Sequence, residues 1–339
     1  MLTIGSRSLV PEDHERSYLV TEPDGRVRAE CAPINPRSIL WATAADPRSL
    51  LTGIAAGIMQ LMLPGLGAGV TDHSNFFDDP FDRIDRSLPY IWGSIFTEDE
   101  KEGSERGKQI RDFHPTIKGT DHNSEPYHAL DPEVFWWAHA TFTWEFLRAR
   151  ELFFALPLDR LEREQLYAES VTWYRRYGLS DRPVPLTLRD FRIRFDQICR
   201  EELELTPAAQ WVLDPQSETG AGGNLRLPGP LSALNGIANQ LGADVLRIVV
   251  YGVMPDVLRR RFGFRWSNAD RAAFAGVCTT LRSMELAMPY GALEGLWPEG
   301  TPHAQPGDLK RIVIAGPNFR QRQLALQGAG RTEVAGESD

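Results

Sequence analysis

The amino-acid sequence predicts an all-α protein, and two observations carry that prediction. Apolar residues recur along most of the chain at the three- and four-residue spacing of a helix face rather than at the alternating spacing of a strand. Helix-starting chemistry is also present: in Asp131-Pro132-Glu133 a capping acceptor, a proline and an acidic residue follow one another. No internal repeat or low-complexity block interrupts the pattern.

Eight helices are predicted from the periodicity, over residues 46–62, 81–95, 98–114, 132–156, 159–177, 187–204, 231–252 and 268–287. The third of these ends before Pro115, which cannot continue a helix. The sixth begins at Thr187 with Asp190 three residues later, and the eighth begins at Ser267 with Asp270 three residues later. Both pairs have the spacing of a capping box.

One uncharged stretch is long enough to cross a membrane. Residues 49–71 are 23 consecutive uncharged residues, which at 1.5 Å per residue would span a bilayer core of ~30 Å. However, Gln60, Pro64 and five glycines interrupt the stretch, and no cluster of basic residues flanks it. We therefore expect a buried helix that ends near Leu63, then a tight loop in the GLGAGV segment, and no transmembrane span.

The organisation of the chain is predicted to be one composite helical domain over residues 38–316. Residues 1–37 form an N-terminal extension, and residues 317–339 form a tail of small and charged residues. Residues 214–230 are rich in Gly, Pro and small polar residues and are expected to be an internal loop or linker. The helices after this segment are too apolar to stand alone, so they should pack onto the first region.

Composition and charge exclude several classes of protein. With 42% hydrophobic and 24% charged residues the chain is globular rather than disordered. The net charge of −9 and the lack of a long basic run argue against nucleic acid as a partner. The cysteines, Cys31, Cys199 and Cys278, match neither a disulfide framework nor a metal motif. Since the N-terminus also lacks the apolar core of a signal peptide, we expect a cytoplasmic location.

Common catalytic motifs are missing from the sequence. It contains no P-loop, no GxSxG elbow and no HExxH zinc motif. The TGAGG segment is not a dinucleotide fingerprint, because it follows no apolar strand. The histidines are therefore the remaining candidates for chemistry.

His139 is the first candidate for chemistry. Phe135, His139, Phe142 and Phe146 share one face of the predicted helix, so a polar ring lies in an aromatic stripe. One interpretation is a core histidine that is hydrogen-bonded to a carbonyl. The other is an axial ligand of haem, because neutral imidazole binds iron and an aromatic wall suits a porphyrin face.

Three further histidines lie close to His139 in sequence: His114, His122 and His128. His114 ends a predicted helix one turn after Arg111, and the two are either a catalytic pair or a helix cap beside a surface cation. A non-haem metal centre is another open alternative. It would use some of the four histidines with Asp121 or Glu125 as a carboxylate ligand.

Four blocks of the sequence resemble successive blocks of one known family. They are QLMLPGLGAGVTDHSNFFDDPFDRIDRS, IRDFHPTIKGT, PYHALDPEVFWWAHATFTWEFLRARELFFALPLDRLEREQLYAES and YGVMPDVLRRRFGFRWSNADRAAF. The family is built on the rubber-oxygenase (latex-clearing protein) catalytic domain and includes the MpaB-like oxygenases. The resemblance covers about residues 38–290, with the blocks in the same order.

The resemblance implies a multi-helix bundle with a globin-like core that binds haem b. In the family the histidine of the W-x-H-A-T block is the proximal iron ligand, and here that block is WAHAT around His139. His139 is therefore the expected metal ligand, and Phe135 and Phe142 on its helix face are expected to contact the cofactor.

The distal side of the haem is also implied by the resemblance. The family's R-x-x-H block places Arg111 and His114 there, and rubber oxygenases carry a lysine where His114 stands. His114 and Arg111 are thus the expected catalytic residues, with Arg111 also a candidate contact of a haem propionate. One position departs from the pattern: many relatives have His-Pro where this chain has Leu63-Pro64.

The function that the resemblance implies is a haem-dependent oxygenase. The expected partners are dioxygen and a small apolar substrate, of isoprenoid or natural-product type. An electron-donor reductase stays open as a further partner. The alternative from another functional class is a haem-binding sensor or carrier without turnover, which the loss of the family histidine at Leu63 favours.

Overall fold

The protein is mostly helical, as the sequence predicts. The structure, a computed structural model, describes residues 20–21, 27–36, 38–74, 80–213 and 247–287. Its helices are α1 (Ile39–Ala44), α2 (Arg48–Leu61), α3 (Pro64–His73), α4 (Pro80–Ile95), α5 (Glu100–Asp112), α6 (Pro132–Phe153), α7 (Arg160–Arg176), α8 (Leu188–Glu201), α9 (Pro207–Leu213), α10 (described over 247–253), α11 (Asp256–Arg261) and α12 (Asn268–Ala287).

Two short antiparallel hairpins accompany the helices. Strands β1 (Val20–Thr21) and β2 (Val27–Arg28) form the first, and β3 (Lys118–Thr120) and β4 (Pro126–His128) form the second. In the second hairpin Gly119 is paired with Tyr127. These hairpins were not predicted from the sequence.

Seven of the eight predicted helices are found within a few residues of their expected ends, as α2, α4, α5, α6, α7, α8 and α12. The prediction over 231–252 falls mostly outside the described residues, and its last part is helical in α10. The helices that the sequence analysis missed are α1, α3, α9 and α11.

The predicted tight loop after Pro64 is wrong, because these residues form α3. Pro64 occupies the first turn, where its missing N–H has no cost. The glycines serve close packing rather than a turn: a Cβ at Gly67 would lie 2.4 Å from the Leu61 carbonyl oxygen. The chain bends by 96° between α2 and α3.

Among the described helices, no single one is long and apolar enough to cross a bilayer. The bent pair of α2 and α3 has the length and composition of a membrane span only when the two helices are taken together.

Helix α6 is the centre of the fold. Its start follows from the sequence, because the Asp131 side chain accepts hydrogen bonds from Glu133 N at 2.9 Å and Val134 N at 3.4 Å. On one side α6 packs along α2, where the Trp137 indole donates to the Met59 carbonyl at 3.0 Å. Helices α1, α7 and α12 pack on other parts of its surface. This position leaves α6 with little contact with solvent.

The segments before and after the main helices pack onto the same core. Near the N-terminus, the Thr172 hydroxyl of α7 donates to the Ala32 carbonyl at 2.6 Å. Near the other end, Val250, Met254 and Leu258 join the main apolar cluster, as expected for the helices after residue 230. The domain boundaries stay predictions.

A buried carboxylate holds the start of α1. Glu169 on α7 is fully buried, and its two oxygens accept the N–H groups of Leu40 at 2.7 Å and Ile39 at 3.3 Å. Such groups at a helix start have no partner inside the helix. Burial raises the pKa of Glu169 to about 7, against the opposing effect of these hydrogen bonds and of one from Gln165.

A second close contact joins α5 to α7. Arg176 is fully buried and donates to the carbonyls of Ser94 at 2.6 Å and Thr97 at 3.2 Å. A Cβ at Gly107 would lie 2.5 Å from the backbone of Arg176. The two helices can approach this closely only because residue 107 has no side chain.

We expect Glu169→Gln to change how stability depends on pH. The folded-state pKa of about 7 lies above the ordinary value of 4.5, so the folded protein keeps a proton that the unfolded chain releases between these values. The contribution of Glu169 is therefore complete below about pH 4.5 and declines as the pH rises to about 7, by up to ~3 kcal/mol. Urea unfolding of both proteins at pH 5 and pH 7.5 measures this decline, which the glutamine variant should lack. Parallel pH profiles would contradict it.

We expect Gly107→Ala to destabilise the protein by about 1–3 kcal/mol, because the new methyl group meets backbone that cannot move aside. The matched control is Gly276→Ala in α12, where a Cβ meets no atom within 4 Å. That change should stabilise by up to ~1 kcal/mol through helix propensity. Thermal unfolding of the two variants measures the difference, and equal effects would refute the close contact.

Candidate functional site

The structure places His139 deep in the protein, on the side of α6 that faces α7. Its side chain is 4% exposed. The imidazole ring lies against three aromatic rings of the last turns of α7, with centroid distances of 4.6 Å to Trp173, 5.2 Å to Tyr174 and 5.7 Å to Tyr177. The aromatic surroundings that the helix periodicity predicted are therefore present, and α7 supplies most of them.

His139 is a buried, neutral imidazole. Among the described residues, no group forms a hydrogen bond of ordinary geometry with Nδ1 or Nε2. Burial lowers the pKa of His139 to about 3, with the backbone of Ser170 acting in the opposite direction. Because the Ser170 backbone lies beside the ring, the interpretation of His139 as a core histidine next to a carbonyl stays open beside that of an iron ligand.

Phe135 and Phe142 on α6 lie beside these rings. We call the surface formed by Phe135, Phe142, Trp173, Tyr174 and Tyr177 the aromatic wall. The Phe135 ring packs against Tyr177 at a centroid distance of 5.1 Å, and the Phe142 ring packs against Trp173 at 5.8 Å. Because these two α7 residues also contact His139, the structure brings all three predicted cofactor-binding residues of α6 together.

His114 lies at the edge of the same wall. It follows the end of α5, is partly buried, and packs edge-on against Phe135 at 5.6 Å. Its Nδ1 lies 2.7 Å from the Ile110 carbonyl, so in the neutral ring the proton is on Nδ1 and Nε2 is the acceptor. Phe135 and Tyr177 connect His114 to His139 through successive ring contacts.

Arg111 lies one turn before His114 and is closer to the surface. Its side chain is 28% exposed and pairs with Asp112 at 2.7 Å. The guanidinium group also approaches Gly178, the left-handed residue (φ +67°) that follows α7. Arg111 is therefore a partly exposed cation beside the end of the helix that carries the aromatic wall.

The other members of the histidine cluster do not gather around His139. His122 Nε2 lies 2.9 Å from Glu204 Oε2, and His128 Nδ1 accepts the N–H of Leu130 at 3.0 Å. Among the residues that the structure describes, no three His, Cys, Asp or Glu side chains are placed to hold a metal ion. The non-haem alternative thus has no ligand set in this part of the chain.

A cavity of about 230 Å³ lies at the start of α6, between the β3–β4 hairpin and α8. Leu63, Trp137 and Ile198 are among its apolar lining, and Arg194 and Glu202 are among its charged residues. Leu63, which replaces the family histidine, therefore borders this cavity. His139 is not one of its lining residues.

The sequence analysis missed Glu145, a buried carboxyl group on α6. Its side chain is 4% exposed, and Oε2 has no hydrogen-bond partner. The available signal was an isolated acidic residue between Trp144 and Phe146 in an otherwise aromatic stretch.

Comparison with known proteins gives one match. A family model described as "ER-bound oxygenase mpaB/B'/Rubber oxygenase, catalytic domain" matches residues 41–283, well over half of the chain. Nothing matches the chain among curated proteins or among solved structures. The matched span includes His139, His114 and the whole aromatic wall.

Proposed function

The chain belongs to the family of mpaB and rubber oxygenase catalytic domains, and from this premise we propose a haem b-dependent oxygenase. Its co-substrate would be dioxygen, and its substrate a small apolar molecule of isoprenoid or natural-product type. The observation that carries the haem proposal is the buried, neutral His139, whose ring nitrogens form no hydrogen bond of ordinary geometry with the described residues.

The residues around His139 fit a haem in their chemistry. Buried polar atoms nearly always have a partner, and a bond to iron at one ring nitrogen, with the Ser170 backbone beside the ring, would supply one here. Neutral imidazole is a common haem ligand. Phe135 and Phe142 would provide apolar contacts for the porphyrin. When bound, the haem would supply dioxygen binding and redox chemistry.

His114 is the residue that we assign to proton handling on the distal side. The Ile110 carbonyl accepts the Nδ1–H of the neutral ring and so fixes the orientation of the ring. The ring is only partly buried, so solvent can reach it. A hydrogen-bond group fixed in this way is preorganised for developing charge.

Arg111 would hold an anionic group at the edge of the site. It is a permanent cation, and its partial exposure suits a haem propionate, which is a charged group that stays near water. Its existing partner Asp112 is itself exposed, so the exchange of one carboxylate for another has a small cost.

The direct test of this function is the absorption spectrum of the purified protein after addition of haem b. A Soret band at one haem per chain supports the proposal, and dioxygen consumption with prenylated substrates then separates an oxygenase from a haem carrier. A protein that binds no haem would overturn the proposal.

We expect His139→Ala to abolish stoichiometric haem binding, because among the described residues His139 is the histidine buried within the aromatic wall, whereas His114 lies only at its edge. The matched control is His128→Ala, which removes a partly buried histidine just before α6 that does not contact this wall. Haem titration followed by absorbance measures both variants. An unchanged spectrum and stoichiometry in His139→Ala would disprove the assignment.

We expect His114→Ala to retain haem but to change the ferric spectrum and slow dioxygen consumption by ~10²- to 10³-fold, the usual cost of a lost preorganised donor. If His114 is only a helix cap, its loss should cost no more than ~1 kcal/mol of stability and leave spectrum and turnover unchanged. That second outcome would remove His114 from the site.

We expect Arg111→Ala to lower haem retention, because a propionate would lose its cation. Arg106→Ala is the control, since Arg106 lies on the same helix and pairs only at the surface with Glu102 at 2.7 Å. Haem loss to a scavenger protein measures retention. Equal rates of loss in the two variants would contradict the role of Arg111.

A further inference from the structure

Glu145 is a second buried group of α6 that the proposed haem site does not use. It lies on the side of α6 that faces α2, whereas His139 faces α7. Burial raises the pKa of Glu145 well above its ordinary value and so favours the protonated carboxyl group. A protonated carboxyl group can donate one hydrogen bond and accept others, yet Oε2 has no partner.

A glycine of α2 lies opposite Glu145. A Cβ at Gly53 would lie 3.0 Å from Glu145 Oε1 and 3.4 Å from its Cδ, so the carboxyl group rests directly on the Gly53 backbone. One turn further, a Cβ at Gly57 would meet no atom of the described residues within 4 Å. Both glycines are partly exposed. We call the surface formed by Gly53 and Gly57 the α2 notch.

The polar groups beside the α2 notch already have partners. Gln60, one turn after Gly57, donates to the Thr141 hydroxyl at 2.8 Å and to the Ala138 carbonyl at 3.2 Å. Glu145 is therefore the polar group that the notch leaves for a ligand. Glycine inside a helix and a buried carboxyl group without a partner both reduce stability, so packing alone does not account for the pair.

We propose that the α2 notch binds the hydroxyl end of a small apolar molecule, with Glu145 as its hydrogen-bond partner. A hydroxyl group both accepts and donates, which matches the capacity of a protonated carboxyl group. The open space at Gly57 gives room for the carbon atoms next to the hydroxyl, and the helices around it are apolar. The proposal does not depend on haem.

The experiment compares geraniol with geranyl methyl ether, which has the same apolar body but no hydroxyl proton, by calorimetric titration of the full chain. We expect geraniol to bind about tenfold more tightly, the usual effect of one hydrogen bond. Glu145→Leu should abolish this preference, and Glu145→Gln, which keeps a donor and an acceptor, should retain part of it.

Gly57→Leu is the second variant, because it fills the notch without touching Glu145. It should weaken the binding of both molecules at least tenfold, whereas Gly276→Leu on α12 should not. Binding should also be unchanged in His139→Ala, which separates the notch from the haem site. The proposal is overturned if the wild-type protein does not bind geraniol, binds it no better than the ether, or loses it only in His139→Ala. Unchanged geraniol binding in Gly57→Leu would also overturn it.

Discussion

The structure depends on the burial of α6 between α2 and α7. This helix carries three tryptophans and four phenylalanines in 22 residues, and its contacts with both neighbours form much of the apolar core. A helix that is buried on most of its surface has no solvent to satisfy polar side chains. Each polar residue on α6 therefore either finds a partner within the protein or serves another purpose.

Other deeply buried polar groups of the protein do have partners. Arg176 and Glu169 are as deeply buried, but both bind backbone groups that would otherwise have no partner. His139 and Glu145 have unpartnered atoms, and each lies against a surface of defined chemistry: aromatic rings for His139 and glycine backbone for Glu145. The same helix thus presents a buried imidazole on one side and a buried carboxyl group on another.

The sequence predicts the parts of this arrangement that depend on neighbouring residues. It does not predict the parts that depend on residues far apart in the chain. The start of α6 depends on Asp131 and its next three residues, so local chemistry was sufficient. Helix α1 was missed because its first N–H groups are satisfied by Glu169, about 130 residues away. Helix α3 was missed because its glycines resemble a turn in the sequence, whereas Gly67 allows close packing in the structure. The face of α6 that carries His139 was predictable from the helical periodicity of the sequence, but the residues of α7 that contact this face were not.

The most direct test of the account is resonance Raman spectroscopy of the ferrous, haem-loaded protein. The account predicts an iron–imidazole stretching band that shifts when the histidines carry ¹⁵N and disappears in His139→Ala. A haem-loaded protein whose band is insensitive to ¹⁵N-histidine, or persists without the His139 imidazole, would show that the unpartnered ring in the aromatic wall is not the iron ligand.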